Sequence, residues 1–195
     1  MKKVLMATVL LAASGAAHAA SELQQVAPNP TSFIESTDFL ALEYSGAGDV
    51  TAHVSSVDLQ LGFGNATTSG CEAADFAGFA AGTIALIQRG TCTFEQKAVN
   101  AMVAGAVGVL IFNQGNDPTR LDVFGGTLTA NFIYDIPVFA LSYSLGAQLA
   151  QTAGLSVRMF QDVRVVPTPT PEPGSLLLLG LGLCALASGR RRKAA

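Results

Sequence analysis

Histidine is nearly absent from this 195-residue chain: His18 and His53 are the only two. His18 falls inside a stretch with the three parts of an export signal. Lys2-Lys3 is the charged start, and Val4 to Ala13 is an apolar run too short for a stable bilayer anchor. Ala17-His18-Ala19 is a small-x-small cleavage site, so cleavage is expected before Ala20. The exported chain then keeps His53 alone. One histidine cannot supply a zinc triad, and no HExxH occurs. A Ser/His/Asp hydrolase would have to use His53 with Ser55, Ser56 or Asp58, whose side chains strand alternation scatters, and no G-x-S-x-G elbow exists. Gly90, Gly105 and Gly108 do not make a phosphate loop, because neither Walker spacing nor G-x-G-x-x-G opens a helix here. No enzyme activity, metal or cofactor is expected. His53 itself suits a surface or hydrogen-bonded core position.

Positive charge is equally scarce away from the ends. Of the 11 basic residues, Lys2, Lys3, Arg190, Arg191, Arg192 and Lys193 are terminal. Between Ala20 and Thr170, five basic residues face 13 acidic ones, a net charge of −8. This argues against nucleic acid and against an anionic membrane surface. It favours solubility and a basic or neutral ligand.

What is present centres on Gly82 to Asn113. Thr83 to Gln88 is short and apolar enough for a buried strand, and Arg89-Gly90 ends it. Thr93 then has the character of a helix N-cap, with Gln96 as its capping-box partner. Phe94, Ala98, Ala101 and Met102 fall on one helical face, Lys97 and Asn100 toward the other, and Gly105 supplies the stop. Val107 to Phe112 is a second apolar strand. Two such strands bridged by a helix predict a βαβ unit, a parallel pair with a right-handed crossover.

Around this centre the pattern predicts further elements. Ser21 to Ser36 is an extended lead-in with Pro28 and Pro30. Phe39 to Tyr44 and Val50 to Leu61 are strands. The second changes apolar parity after Val54, which predicts a bulge or bend near Ser55-Ser56. Glu72 to Phe79 suits a short helical turn, and Asp122 to Thr129 a short hairpin. Ile136 to Leu141 is a strand, Ser142 or Ser144 caps a helix ending at Gly154, and Leu155 to Val166 is a final strand. The total is about seven strands and two helices. Cys71 and Cys92 enter oxidising surroundings after export, which favours a disulfide over two free buried thiols. Cys184, in the apolar tail, is expected to be filler.

The sequence resembles the protease-associated domain. The resemblance is carried by Gly70-Cys71, by the run Gly82 to Phe94, by Lys97, Asn100, Ala104-Gly105-Ala106, Gly108-Val109 and Asn113, and by Ile136-Pro137-Val138. Tyr44 to Ala52 and Asn65 to Phe76 look most similar to the version inserted in secreted bacterial zinc aminopeptidases, whose zinc ligands lie in a separate catalytic domain. The resemblance implies an α+β fold, a β-sandwich or open barrel with two flanking helices and the βαβ unit at its centre. It also implies that Cys71 and Cys92 are bridged. A loop of about 20 residues so closed restricts the unfolded chain by ~3 kcal/mol. Arg89 and Gly90 match the Arg-Gly-x-Cys motif of plant vacuolar sorting receptors, where the arginine contacts peptide. The alternative for Arg89 is a salt bridge or a carbonyl cap.

Pro167 to Pro173 is a stiff extended linker. The apolar, helix-compatible run from Ser175 to Ser188 spans only ~21 Å as a helix, short of the ~30 Å hydrocarbon core. Pro171-Glu172-Pro173, the short apolar run and the basic end together resemble the PEP-CTERM sorting tail, although Thr170 replaces the usual valine. That family implies processing by exosortase, transient inner-membrane contact through the apolar helix, and delivery to a Gram-negative envelope or matrix. The expected organisation is an export signal over 1–19, a domain over 20–166, a linker over 167–174, an apolar segment over 175–189 and a basic tail over 190–195. The expected function is non-catalytic binding of a polypeptide. The alternatives are modulation of a protease in trans and a structural matrix role without a ligand.

Overall fold

The computed structural model describes residues 20–164 and residue 166. The expected export signal, the Pro171-Glu172-Pro173 linker, the apolar segment and the basic tail lie outside the described residues. Among those described, no helix is long and apolar enough to cross a membrane.

Eight strands form one mixed, curled sheet in the order β2-β1-β8-β4-β5-β6-β7-β3. They are β1 (Ser21–Ala27), β2 (Thr31–Ser32), β3 (Phe39–Ala41), β4 (Gly48–Val57), β5 (Ile84–Gln88), β6 (Gly108–Phe112), β7 (Val138–Leu141) and β8 (Ser156–Gln161). Two helices pack on it, α1 (Phe94–Val103) and α2 (Tyr143–Ala150), and Ala73–Phe76 makes one 3₁₀ turn. The expected α+β fold forms, and of the sandwich or open barrel it is the open, curled half-barrel, with eight strands rather than about seven.

β4, β5, β6 and β7 pair in parallel, while the β2-β1, β1-β8, β8-β4 and β7-β3 pairs are antiparallel. Every residue of β5, β6 and β7 is buried, as in a parallel sheet covered on both faces. Alternation sorts them into two clusters. Ala85, Ile87, Val109, Ile111, Val138 and Ala140 meet Ala98 and Ala101 of α1. Ile84, Leu86, Leu110, Phe112, Phe139 and Leu141 meet Leu145 and Leu149 of α2, with Leu23, Val157 and Met159 added by the curl.

These two clusters explain the parity change in β4. Val50, Ala52 and Val54 pack on the α2 side, and Val57 on the α1 side. Pairing runs without a shift through His53↔Ser156 and then Val54↔Ile84 to Val57↔Ile87. The expected bulge near Ser55-Ser56 is therefore absent. Ordinary alternation gives the same pattern because the strand passes from a sheet with one covered face into one with two. The register irregularity instead lies in β1, between Gln25 and Ala27.

The expected lead-in at Ser21 to Ser36 is in fact two strands. β1 pairs along its whole length with β8, but of its apolar residues only Leu23 is buried, so its periodicity was faint. The expected hairpin at Asp122 to Thr129 does not form. Thr127 makes one isolated bridge to Glu43, and Phe124, Leu128 and Phe132 turn into the α1-side cluster. The 124–132 part of the 113–137 connection thus closes on the α1 side, while Gly115 and Leu121 lie against Tyr143 of α2.

Candidate ligand-binding site

The site is built at the end of β5. Gln88 is fully buried and satisfied: its amide donates to the carbonyls of Gln60 (3.0 Å) and Gln114 (2.7 Å) and accepts from the Gln60 N–H (2.9 Å). That pin fixes where Arg89 leaves the sheet. The Arg89 N–H donates to the Phe112 carbonyl at 2.8 Å. Its guanidinium lies 4.7 Å from the centre of the Phe124 ring and 5.6 Å from that of Phe94, and donates to Asn113 Oδ1 at 3.4 Å. Among the described residues it has no carboxylate partner, and its side-chain acceptor is the Asn113 amide oxygen. Burial, and then the charge of Arg120, hold its pKa below the ordinary arginine value.

Gly90 follows for a steric reason. A Cβ there would sit 2.1 Å from the Thr67 carbonyl oxygen. Cys92 is joined to Cys71 in a disulfide with a Cα–Cα distance of 5.7 Å, which ties this rim to the Ser69–Cys71 loop. α1 begins immediately after. Thr93 Oγ1 accepts from the Gln96 N–H at 3.1 Å, as the cap predicts, but the Gln96 side chain does not return to Thr93. It donates to the Cys71 carbonyl at 2.8 Å. Gly105, at φ 93°, ends the helix as expected.

The expected polar outer face of α1 is an inner one. Asn100 donates to the Gly70 and Cys71 carbonyls at 3.1 and 2.9 Å. Lys97 is fully buried, its Nζ donating to the Ser69 carbonyl and lying 3.7 Å from Cys71 Sγ. Three consecutive loop carbonyls are thus satisfied by Gln96, Lys97 and Asn100. Burial brings the Lys97 pKa down to about 8, against a smaller opposing effect of the Asp75 charge.

Beside Arg89 lies a pocket of about 430 Å³. Arg89, Gly90 and Cys92 line it from the rim, Thr93, Phe94 and Glu95 from the start of α1, and Arg120, Gly126, Thr127 and Thr129 from the 113–137 connection. The Glu95 carboxylate accepts from Thr129 Oγ1 at 2.8 Å. Arg120 donates to Gln114 Oε1 at 2.8 Å and lies 3.9 Å from Asp117, whose carboxylate is exposed. The structure thus places Arg89 and Gly90 together in one pocket. Sequence reasoning missed Glu95, six residues beyond Arg89, and Arg120 and Thr129, which are distant from it along the chain. The signal available was the rarity of cations, since Arg120 is one of five in the domain.

His53 is exposed on β4, with Nδ1 3.3 Å from the Leu155 carbonyl oxygen. Ser55 Oγ accepts from Thr83 Oγ1 at 3.0 Å rather than meeting His53. Among the described residues, no group of three His, Cys, Asp or Glu side chains is arranged to hold a metal ion.

A curled sheet with a central βαβ unit, a disulfide-tied rim and an arginine-lined pocket defines a small α+β domain. The chain belongs to the PA domain family, whose model matches residues 50–149. A model of the PEP-CTERM protein-sorting motif matches residues 169–193. The two matches together describe an exported PA domain that carries a sorting signal. The chain is 50% identical over 141 residues to an aminopeptidase of Pseudomonas aeruginosa strain UCBPP-PA14, covering 72% of this chain and 26% of that protein. It is 38% identical over 85 residues to leucine aminopeptidase 2 of Trichophyton equinum, covering 44% and 16%. Among solved structures, the aminopeptidase from Aneurinibacillus sp. strain AM-1 superposes with a TM-score of 0.55 at 25% identity, covering 74% of this chain and 31% of that one. The chain therefore spans about a quarter of the Pseudomonas relative.

Proposed function

We propose that this chain is a non-catalytic polypeptide-binding module, with Arg89 and Gly90 at the ligand contact. The observation that carries the proposal is the state of Arg89. Its guanidinium borders a pocket, rests on two aromatic faces and has no carboxylate partner among the described residues. An arginine so placed keeps donors available for a ligand. The disulfide and the Gln88 pin hold the rim in place, which limits the entropy lost on binding.

The export signal and the sorting motif support delivery to a Gram-negative envelope, outer surface or matrix. Signal peptidase would process one end and exosortase the other, with transient inner-membrane contact through the apolar segment. A second reading is favoured by the relatives: half the aligned residues are shared with an aminopeptidase of which this chain spans a quarter. In that reading the module acts in trans on a protease, and the polypeptide it binds is that enzyme.

Peptide display against the exported chain tests the proposal. Arg89→Ala should weaken selected peptides by ~1.5 to 3 kcal/mol, as for hydrogen bonds to a charged group. The loss in stability should not exceed ~1 kcal/mol, the scale of a partly exposed cation–π contact. Lost stability with unchanged affinity would return Arg89 to the scaffold. Co-purification of a discrete protease from the native host would favour the second reading.

A further inference from the structure

We infer that the pocket binds a carboxylate of the polypeptide ligand, held between the guanidiniums of Arg89 and Arg120. This rests on the polypeptide-binding reading above and adds the chemistry of the group recognised.

The argument is a census of cations. The span from Ala20 to Thr170 has five. Lys97 is buried against the Ser69 carbonyl and the disulfide. Arg158 is paired with Asp49 and Glu22, at 2.8 Å from each. Arg164 is paired with Asp135 and also donates to the carbonyls of Tyr44, Phe132, Ile133 and Tyr134. These three are fully engaged. The remaining two, Arg89 and Arg120, line the same pocket. Arg89 has no carboxylate partner among the described residues, and the one near Arg120 is Asp117, at 3.9 Å and exposed. An exposed pair at that distance is weak.

Two like charges sharing a pocket in an otherwise acidic domain repel each other. The charge of Arg120 accordingly adds to burial in lowering the Arg89 pKa. An anion between them relieves that repulsion, and planar guanidiniums suit a carboxylate. The start of α1 lines the same pocket, so the positive end of its dipole adds in the same direction. Glu95 opposes it, and Thr129 holds that carboxylate by a hydrogen bond. The net charge of the lining side chains stays positive. A pocket of about 430 Å³ admits a carboxylate with one adjoining side chain, for which Phe94 offers an apolar face. The carboxylate can come from a peptide C-terminus or from an Asp or Glu side chain.

The test uses random octapeptides prepared both as free acids and as C-terminal amides. Each pool is passed over the immobilised exported chain, and retained peptides are counted by mass spectrometry. For a C-terminal carboxylate, free acids should be enriched about tenfold over amides, the scale of a lost charged hydrogen bond. If the source is a side chain, Asp and Glu should instead be enriched at a fixed position in both pools. In either case Arg120→Gln should abolish the enrichment, and Glu95→Gln should raise it. Each variant touches one hydrogen bond, Arg120 to Gln114 or Thr129 to Glu95, so the melting temperature should fall by no more than a few degrees. Retention of peptides with no preference for any carboxylate would overturn this inference and leave polypeptide binding standing. An enrichment unchanged in Arg120→Gln would also overturn it. Retention of no peptide would overturn both readings.

Discussion

Raising the pH from about 6.5 to about 9.5 should stabilise this domain through Lys97 by about 2 kcal/mol. The ammonium is fully buried, with a backbone carbonyl and a disulfide sulfur as partners. Burial lowers its pKa to about 8 from the ordinary 10.5, while Asp75 acts weakly the other way. Between these two values the unfolded chain holds a proton that the folded chain has released. Stability therefore rises with pH through this window and is lost as pH falls through the folded value. Other groups titrate in the same range, so the informative quantity is a difference. Lys97→Met is unbranched, close in length and cannot titrate. Urea midpoints of both proteins across the pH range, converted to free energies, isolate the lysine. Wild type should gain on the variant by about 2 kcal/mol over this range. The variant also leaves the Ser69 carbonyl without its donor, a cost of ~1 to 3 kcal/mol that does not vary with pH. A flat difference would mean that the ammonium is solvated. A difference of opposite slope would mean that it is ion-paired.

Three other outcomes are expected. Non-reducing peptide mapping of the exported protein should join Cys71 to Cys92, and replacing both with Ala should cost about 3 kcal/mol in a urea melt, from closure of a loop with a separation of 21 residues. Gly90→Ala should destabilise by ~1 to 3 kcal/mol through overpacking against the Thr67 carbonyl, with a matching drop in urea midpoint; a neutral result would refute the close approach. Mature protein from a host with an exosortase should lack Leu176 to Ala195 by mass spectrometry, and an intact C-terminus there would refute processing at Pro171-Glu172-Pro173.

The sequence alone determined the centre of the fold. Thr83 to Asn113 was legible because its signals are local: two apolar runs, a Thr93 cap, a Gly105 stop, and a helix between strands that must cross over. The cysteine pair and Arg89-Gly90 stood out through motif resemblance. Tertiary structure decided the rest, because burial depends on what arrives from elsewhere in the chain. Lys97 sits on a polar face that would be solvated in an isolated helix. It is buried because the Ser69–Cys71 loop, brought in by β4 and tied by the disulfide, needs donors for its carbonyls. Val54 and Val57 are out of phase along the chain, and both face core because both faces of the sheet are covered there. Residues 122–129 carry the Gly125-Gly126 turn signal of a hairpin, yet Phe124 and Leu128 gain more by entering the core on the α1 side. That choice carries Arg120, Thr127 and Thr129 to Arg89. The pocket forms where two loops far apart in sequence meet, and no local periodicity encodes such a meeting.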